Sequence, residues 1–238
     1  MPNSRTPRIL WRVVKLSFTV LIFLVCGILI FRMCSAGDPA TMQNLMINEP
    51  LIKAYEEHGK DLKLQYQNQS TITQGEQNRG YFSVTQYVFI PEAQQVQLVF
   101  RYNNSTIKSL AKDYGLEKIP EKSEELFEVT LVTTTDLTPG NREDNLDPKT
   151  LQVTRYTPSA ATRDDSSNTL YTYYRYVFDG ITVAPDTVGV FADVYYVHDV
   201  DYEKAPYGAL CLYDDESKWI DADLTAEDIR ALEKKTKK

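Results

Sequence analysis

Few residues in this chain have the types and spacing that chemistry requires. There are two histidines, His58 at the end of a short amphipathic stretch and His198 at the end of an alternating one. A nucleophilic triad needs a histidine held beside a hydroxyl or thiol, and no motif marks such a pair. HExxH, paired-cysteine, Gly-rich phosphate-loop and GxSxG patterns are absent. The one ligand-like run is His198-Asp199-Val200-Asp201, where Asp199 and Asp201 are spaced as at the start of a calcium loop. That loop's glycine and terminal glutamate are missing at their required offsets. The run therefore reads as an acidic turn, as do Asp214, Asp215 and Glu216. No catalytic residue, metal or cofactor is expected.

Recognition chemistry is better represented. In Tyr171-Thr172-Tyr173-Tyr174-Arg175-Tyr176, strand alternation places Tyr171, Tyr173 and Arg175 on one face. Tyr174, Tyr176 and Phe178 fall on the other. The apolar continuation through Phe178 assigns the second face to the core, so the first is expected to be exposed. Tyr and Arg bring contact area and hydrogen bonds at low entropic cost. Tyr171, Tyr173 and Arg175 are thus the candidate surface for a protein or glycan partner. A plainer reading needs no partner: Tyr is a good strand former that tolerates half-burial.

Strands must position such a face, and the period-two pattern supplies them. Leu62, Leu64 and Tyr66 alternate with polar residues, and so do Val96, Leu98, Phe100 and Tyr102. Further strands are predicted over 82–90, 127–133, 151–157, 170–178, 188–197 and 209–213. The polar stretch from Gln67 to Gly80 is a loop or a weak edge strand. Loops are predicted over 136–149 and 158–168 from their Pro, Gly, Asn and Asp content. Asp179-Gly180 predicts a hairpin turn with a return strand over 181–184. Short helices are predicted after Asn48, over 107–114, and after Thr225, where Thr225-Ala226-Glu227-Asp228 has capping-box form.

Alternation with few helices argues for antiparallel sheets with one wet face each, and so for a mainly β chain built as a β-sandwich with short peripheral helices. Pro185-Asp186-Thr187-Val188-Gly189-Val190-Phe191 is similar to the turn entering the last long strands of immunoglobulin-like domains. The resemblance covers those seven residues. Phe191 lacks a hydroxyl for a tyrosine corner, and the Cys…Trp…Cys pattern is absent.

The N-terminus decides where this domain is expected to reside. Arg5, Arg8, Arg12 and Lys15 precede an uncharged apolar run from Leu16 to Phe31, closed by Arg32. Sixteen helical residues span about 24 Å, and snorkelling flanks extend the reach toward the roughly 30 Å hydrocarbon core. The excess of basic residues before the run predicts a cytoplasmic N-terminus and an extracytoplasmic remainder. A cleaved signal peptide competes, because Cys34-Ser35-Ala36 offers small residues to a peptidase. Leu24-Val25-Cys26-Gly27 hints at a lipidation site, but Val25 stands where a small residue is wanted.

The expected organisation is a cytoplasmic basic segment (1–15), a transmembrane signal-anchor helix (16–34) and a juxtamembrane stalk with a short helix (35–60). A sandwich domain (61–222) and a C-terminal helix with a Lys-rich tail (223–238) follow. Residues beyond 34 carry 21 basic against 33 acidic side chains, which disfavours nucleic acid and anionic lipid as partners of this part. Of the three cysteines only Cys211 lies there, so the domain has no internal disulfide and must stand on its core. Asn68, Asn103 and Asn104 head Asn-X-Ser/Thr patterns. The leading functional expectation is a membrane-anchored, non-catalytic binding module outside the cell membrane. The alternatives are a structural subunit of a membrane-bound assembly and a carboxylate hydrolase of the envelope.

Overall fold

The computed structural model describes residues 6–35, 39–66, 71–73, 82–121, 124–134, 153–164, 170–182, 189–199, 208–213 and 220–237. The chain divides into two compact units, Met1–Asp38 and Pro39–Lys238.

The first unit contains one helix, α1 (Thr6–Ser35). Its stretch Val13–Phe31, 19 residues or about 28 Å, is long and apolar enough to cross a membrane, and none of it is buried within the protein. The helix starts earlier than the apolar run. Arg8, Arg12 and Lys15 therefore lie within the helix itself. Lys15 Nζ lies 4.6 Å from the centroid of the Trp11 ring. Arg32 sits in the last turns of α1, and Arg5 lies outside the described residues.

The second unit is mainly β. Its described elements are α2 (Glu49–His58), β1 (Lys63–Tyr66), β2 (Thr71–Thr73), β3 (Phe82–Ile90), β4 (Gln95–Asn103), α3 (Thr106–Asp113), β5 (Phe127–Thr134), β6 (Val153–Tyr156), β7 (Ala160–Arg163), β8 (Tyr171–Asp179), β9 (Gly189–Tyr196), β10 (Gly208–Tyr213), β11 (Ile220–Asp223) and α4 (Ala226–Thr236). They form two antiparallel sheets, ordered β11-β1-β3-β4-β8-β7 and β2-β10-β9-β5-β6.

One core cluster draws side chains from both sheets. Phe100, Phe82 and Tyr176 from the first meet Phe127, Val194 and Tyr196 from the second. Aromatic rings dominate it, with Phe100 5.6 Å from Phe82 and 5.9 Å from Phe127 between centroids. A bulge in β3 between Val84 and Gln86 switches which alternate residues of that strand face the shared core. Before the bulge Phe82 and Val84 enter the shared core. After it Tyr87 and Phe89 do, and Val88 and Ile90 turn to the opposite face.

On that opposite face α2 and α4 pack with β1 and β3. Leu51, Ala54, Tyr55, Leu64, Val88, Ile90, Leu224 and Leu232 form the second cluster. The helices start as their sequences require. Asn48 Oδ1 accepts from the Leu51 N–H at 3.4 Å, and Thr225 Oγ1 accepts from the Asp228 N–H at 3.1 Å. Neither the segment after Pro39 nor the C-terminal helix hangs free of the sheets, because Met42, Leu45, Leu51 and Leu232 are all buried.

Three local expectations are corrected. The loop predicted over 158–168 contains edge strand β7, whose Ala-Ala-Thr-Arg sequence has little strand propensity of its own and is held by pairing with β8. Strand β11 had no sequence signal and is held by pairing with β1. Gly180 does turn, with φ +72°, but Ile181 and Thr182 form no return strand. The Ile181 N–H instead donates to the Gln94 carbonyl at 2.8 Å, and β9 belongs to the other sheet. A turn signal fixes the local reversal and not the sheet that the chain joins next. Residues 183–188, which carry most of the immunoglobulin-like pattern, lie outside the described residues.

Candidate functional site

Alternation in β4 and β8 points Gln95, Gln97, Val99 and Arg101, together with Tyr171, Tyr173, Arg175 and Val177, away from the shared core. The antiparallel register sets Val99 opposite Arg175 and Arg101 opposite Tyr173. The sequence thus assigned Tyr171, Tyr173 and Arg175 correctly to one face. It erred on their exposure. Tyr173 and Arg175 are 0% and 2% exposed, and Tyr171 is half-buried.

The cover is the chain's own segment Pro39–Asn48, which crosses this face as a strap. The Met42 side chain packs on Val99 and Tyr173, with Tyr171 against them. Polar side chains then hold the strap's backbone. Met46 N–H donates to Gln97 Oε1 at 2.8 Å, and Gln97 Nε2 donates to the Met46 carbonyl at 2.8 Å. A primary amide carries a donor and an acceptor side by side, so Gln97 replaces both bonds that a neighbouring strand would make. Arg175 Nη2 donates to the Met42 carbonyl, and to Gln86 Oε1 at 3.4 Å.

The two ends of the strap are fixed in the same manner. Thr41 Oγ1 donates to Asp164 Oδ1 at 2.8 Å, and the Leu45 N–H donates to Asp228 Oδ1 at 3.0 Å. Asp228 also caps α4 with Thr225, so one carboxylate joins the strap to the C-terminal helix. At Asn48 a small network closes the seam. Gln95 Nε2 donates to Asn48 Oδ1 at 2.8 Å and Asp179 Oδ1 at 2.6 Å, and Asn48 Nδ2 reaches both Asp179 oxygens at 3.2 Å. Gln97 Nε2 also donates to Gln95 Oε1 at 2.6 Å. Gln95, Gln97, Arg175, Asp164 and Asp228 are all buried. Buried polar groups are tolerated when they are paired, and here the strap is a partner of most of them.

This arrangement holds main-chain groups of the 3-10 turn Ala40–Met42 and of the residues after it, and buries the Met42 and Leu45 side chains. Sequence reasoning missed Gln95, Gln97, Asp164, Asp179 and Asp228 as members. An outward-facing Gln in an alternating strand has the same pattern whether water or a strap covers it.

Beyond Tyr173 the same face of the sheet is only partly buried. There Arg101 Nε donates to Ser83 Oγ at 3.2 Å, and Nη1 to the Tyr173 hydroxyl at 3.3 Å. The Arg101 guanidinium carbon stands 4.6 Å from the Tyr171 ring centroid, a cation–π arrangement.

The ligand-like run is dispersed. His198 Nε2 lies 3.9 Å from Glu124 Oε2, while Asp199 accepts from the Tyr114 hydroxyl at 3.3 Å. Burial, aided by the Asp199 charge, pushes the Tyr114 hydroxyl up to about 12. Val200 and Asp201 lie outside the described residues, as do Asp214–Glu216, the sequon at Asn68 and the Cys211 side chain. Among the described residues no group of three or more His, Cys, Asp or Glu could hold a metal ion. Asn103 ends β4 and Asn104 opens the turn before α3, where Asn103 Oδ1 accepts from Ser105 and Asn104 Oδ1 from Thr172.

Comparison with family models, with curated proteins and with solved structures finds no match for this chain.

Proposed function

We propose that the chain is a single-pass membrane protein with a cytoplasmic N-terminus and an extracytoplasmic, non-catalytic β-sandwich that works by binding. One observation carries the reading: an apolar helix able to cross a bilayer is followed, after residues 36–38, by a separate compact β unit. The basic residues before the apolar stretch and the lone Arg32 after it support the orientation. A core shared by the two antiparallel sheets supports a sandwich. Its eleven described strands exceed the seven to nine of immunoglobulin domains. The absence of any catalytic motif in the sequence favours binding over hydrolysis.

A second reading, a structural subunit of a membrane-bound assembly, draws on the strap. The Tyr171–Tyr173–Arg175 face is occupied by the chain's own backbone, and the polar bonds there serve attachment. The binding surface would then lie elsewhere on the unit.

Protease protection on intact cells tests the topology, with the N-terminal and C-terminal tags placed on separate copies of the chain. Loss of the C-terminal tag to external protease, with the N-terminal tag kept on a short membrane fragment, is expected. Protection of the C-terminal tag until the membrane is opened sinks the proposal. Capture of a partner by the outer unit alone favours the binding module. Capture that also requires α1 favours the assembly subunit.

A further inference from the structure

We propose that the strap from Pro39 to Ile47, hinged at Asn48, is a separable cover over the Tyr171–Tyr173–Arg175 face. It lifts as a unit while both sheets stay folded. The inference goes beyond the topology proposed above and holds in whichever compartment the β unit resides.

The argument starts from how the strap is held. It forms no ladder with β4 or β8; among the described bonds its main chain meets these strands only through Gln97 and Arg175 side chains. Its apolar contribution is limited to four side chains. Met42 and Leu45 are buried, while Met46 and Ile47 are half-buried. Strands β4 and β8, by contrast, are paired along their whole length and are buried on both faces. Segments with few buried apolar groups and side-chain-mediated bonds open below the global unfolding free energy.

The polar character of the seat points the same way. When the strap leaves, Gln97, Arg175, Asp164 and Asp228 meet water, which restores their hydrogen bonds, and the apolar surface uncovered beneath Met42 is that of Val99 and Tyr173. The release has a defined limit at Asn48, because that residue caps α2 and is bound to Gln95 and Asp179. Lifting the chain up to that point uncovers two tyrosines and an arginine, residue types suited to recognition. The candidate surface read from the sequence is thereby reinterpreted as a covered one.

Amide hydrogen exchange on the full chain in nanodiscs tests this, read residue by residue. The Leu45 and Met46 amides, which bond Asp228 and Gln97, are expected to exchange about 100-fold or more faster than the amides of β4 and β8. Gln97→Ala weakens the closed state and is expected to speed Leu45 and Met46 by about 100-fold, and the β4 and β8 amides by no more than that factor, so that the strap stays the faster-exchanging segment. Should that variant misfold, Thr41→Ala loosens the exposed end through its bond to Asp164, and a smaller acceleration of Leu45 and Met46 is expected, with β4 and β8 still slower. Exchange of Leu45 and Met46 at the β4 rate in the unaltered chain, with the same denaturant dependence, would show that the strap is integral to the sheet and overturn the proposal.

Discussion

Replacing Gln97 with alanine separates the polar contribution of the seat from its apolar packing. The substitution removes two bonds to the Met46 main chain, each 2.8 Å, and one of 2.6 Å to Gln95 Oε1. Net contributions of about 1 kcal/mol per bond sum to about 3 kcal/mol. Gln97 is 2% exposed and Gln95 0%, so water does not reach the vacated acceptor in the closed state, which keeps the cost from falling below that sum. For a unit of this size each kcal/mol lowers Tm by about 2–4 °C, which gives a drop of roughly 6–12 °C.

Urea and thermal unfolding of residues 39–238, followed by far-UV circular dichroism, provide the assay. The midpoint should fall without a change in the denaturant slope. Gln65→Ala is the control, because its side chain bonds Asp221 at an exposed site, and its effect should stay within about 0.5 kcal/mol. If Gln97→Ala costs no more than Gln65→Ala, the amide clamp on Met46 does not hold the strap and the reasoning fails.

Phe100→Ala empties the centre of the shared aromatic core and should cost about 3–5 kcal/mol in the same unfolding assay; a loss below about 1 kcal/mol would contradict the packing. Gly180→Ala forces a Cβ into a backbone at φ +72° and should cost about 1 kcal/mol, with the sheets unaltered by circular dichroism. Tyr114 and Tyr196 are each pushed up to about 12, in both cases first by burial, then by Asp199 and Glu124 respectively. The folded state thus favours the protonated phenols. Their contribution is complete below about pH 10 and is lost as pH rises from about 10 through about 12, so the urea midpoint should fall across that window while phenolate absorbance rises. A midpoint flat across it refutes the assignment. Leu24→Arg places a charge at the centre of the apolar stretch and should release the chain from carbonate-washed membranes in part, at a cost of about 3 kcal/mol; unchanged retention would argue against a spanning helix.

Sequence alone determined what depends on local pattern. The apolar run after a basic flank, the alternation of Val96, Leu98, Phe100 and Tyr102, the caps at Asn48 and Thr225, and the shared face of Tyr171, Tyr173 and Arg175 follow from side-chain periodicity and backbone chemistry. These properties are carried by residues within a few positions of one another. Tertiary structure decided what depends on partners distant in the chain. Weak strands β7 and β11 exist because β8 and β1 pair with them, and the chain leaves Gly180 for the other sheet because β5 and β10 receive β9. The strap made the largest difference. Gln97 and Arg175 have the alternation pattern of solvent-facing residues, and only the arrival of Met42 and Met46 from more than fifty positions away, or more than a hundred in the case of Arg175, turns them into buried clamps. Periodicity reports which side of a strand a residue takes; it carries no record of what later covers that side.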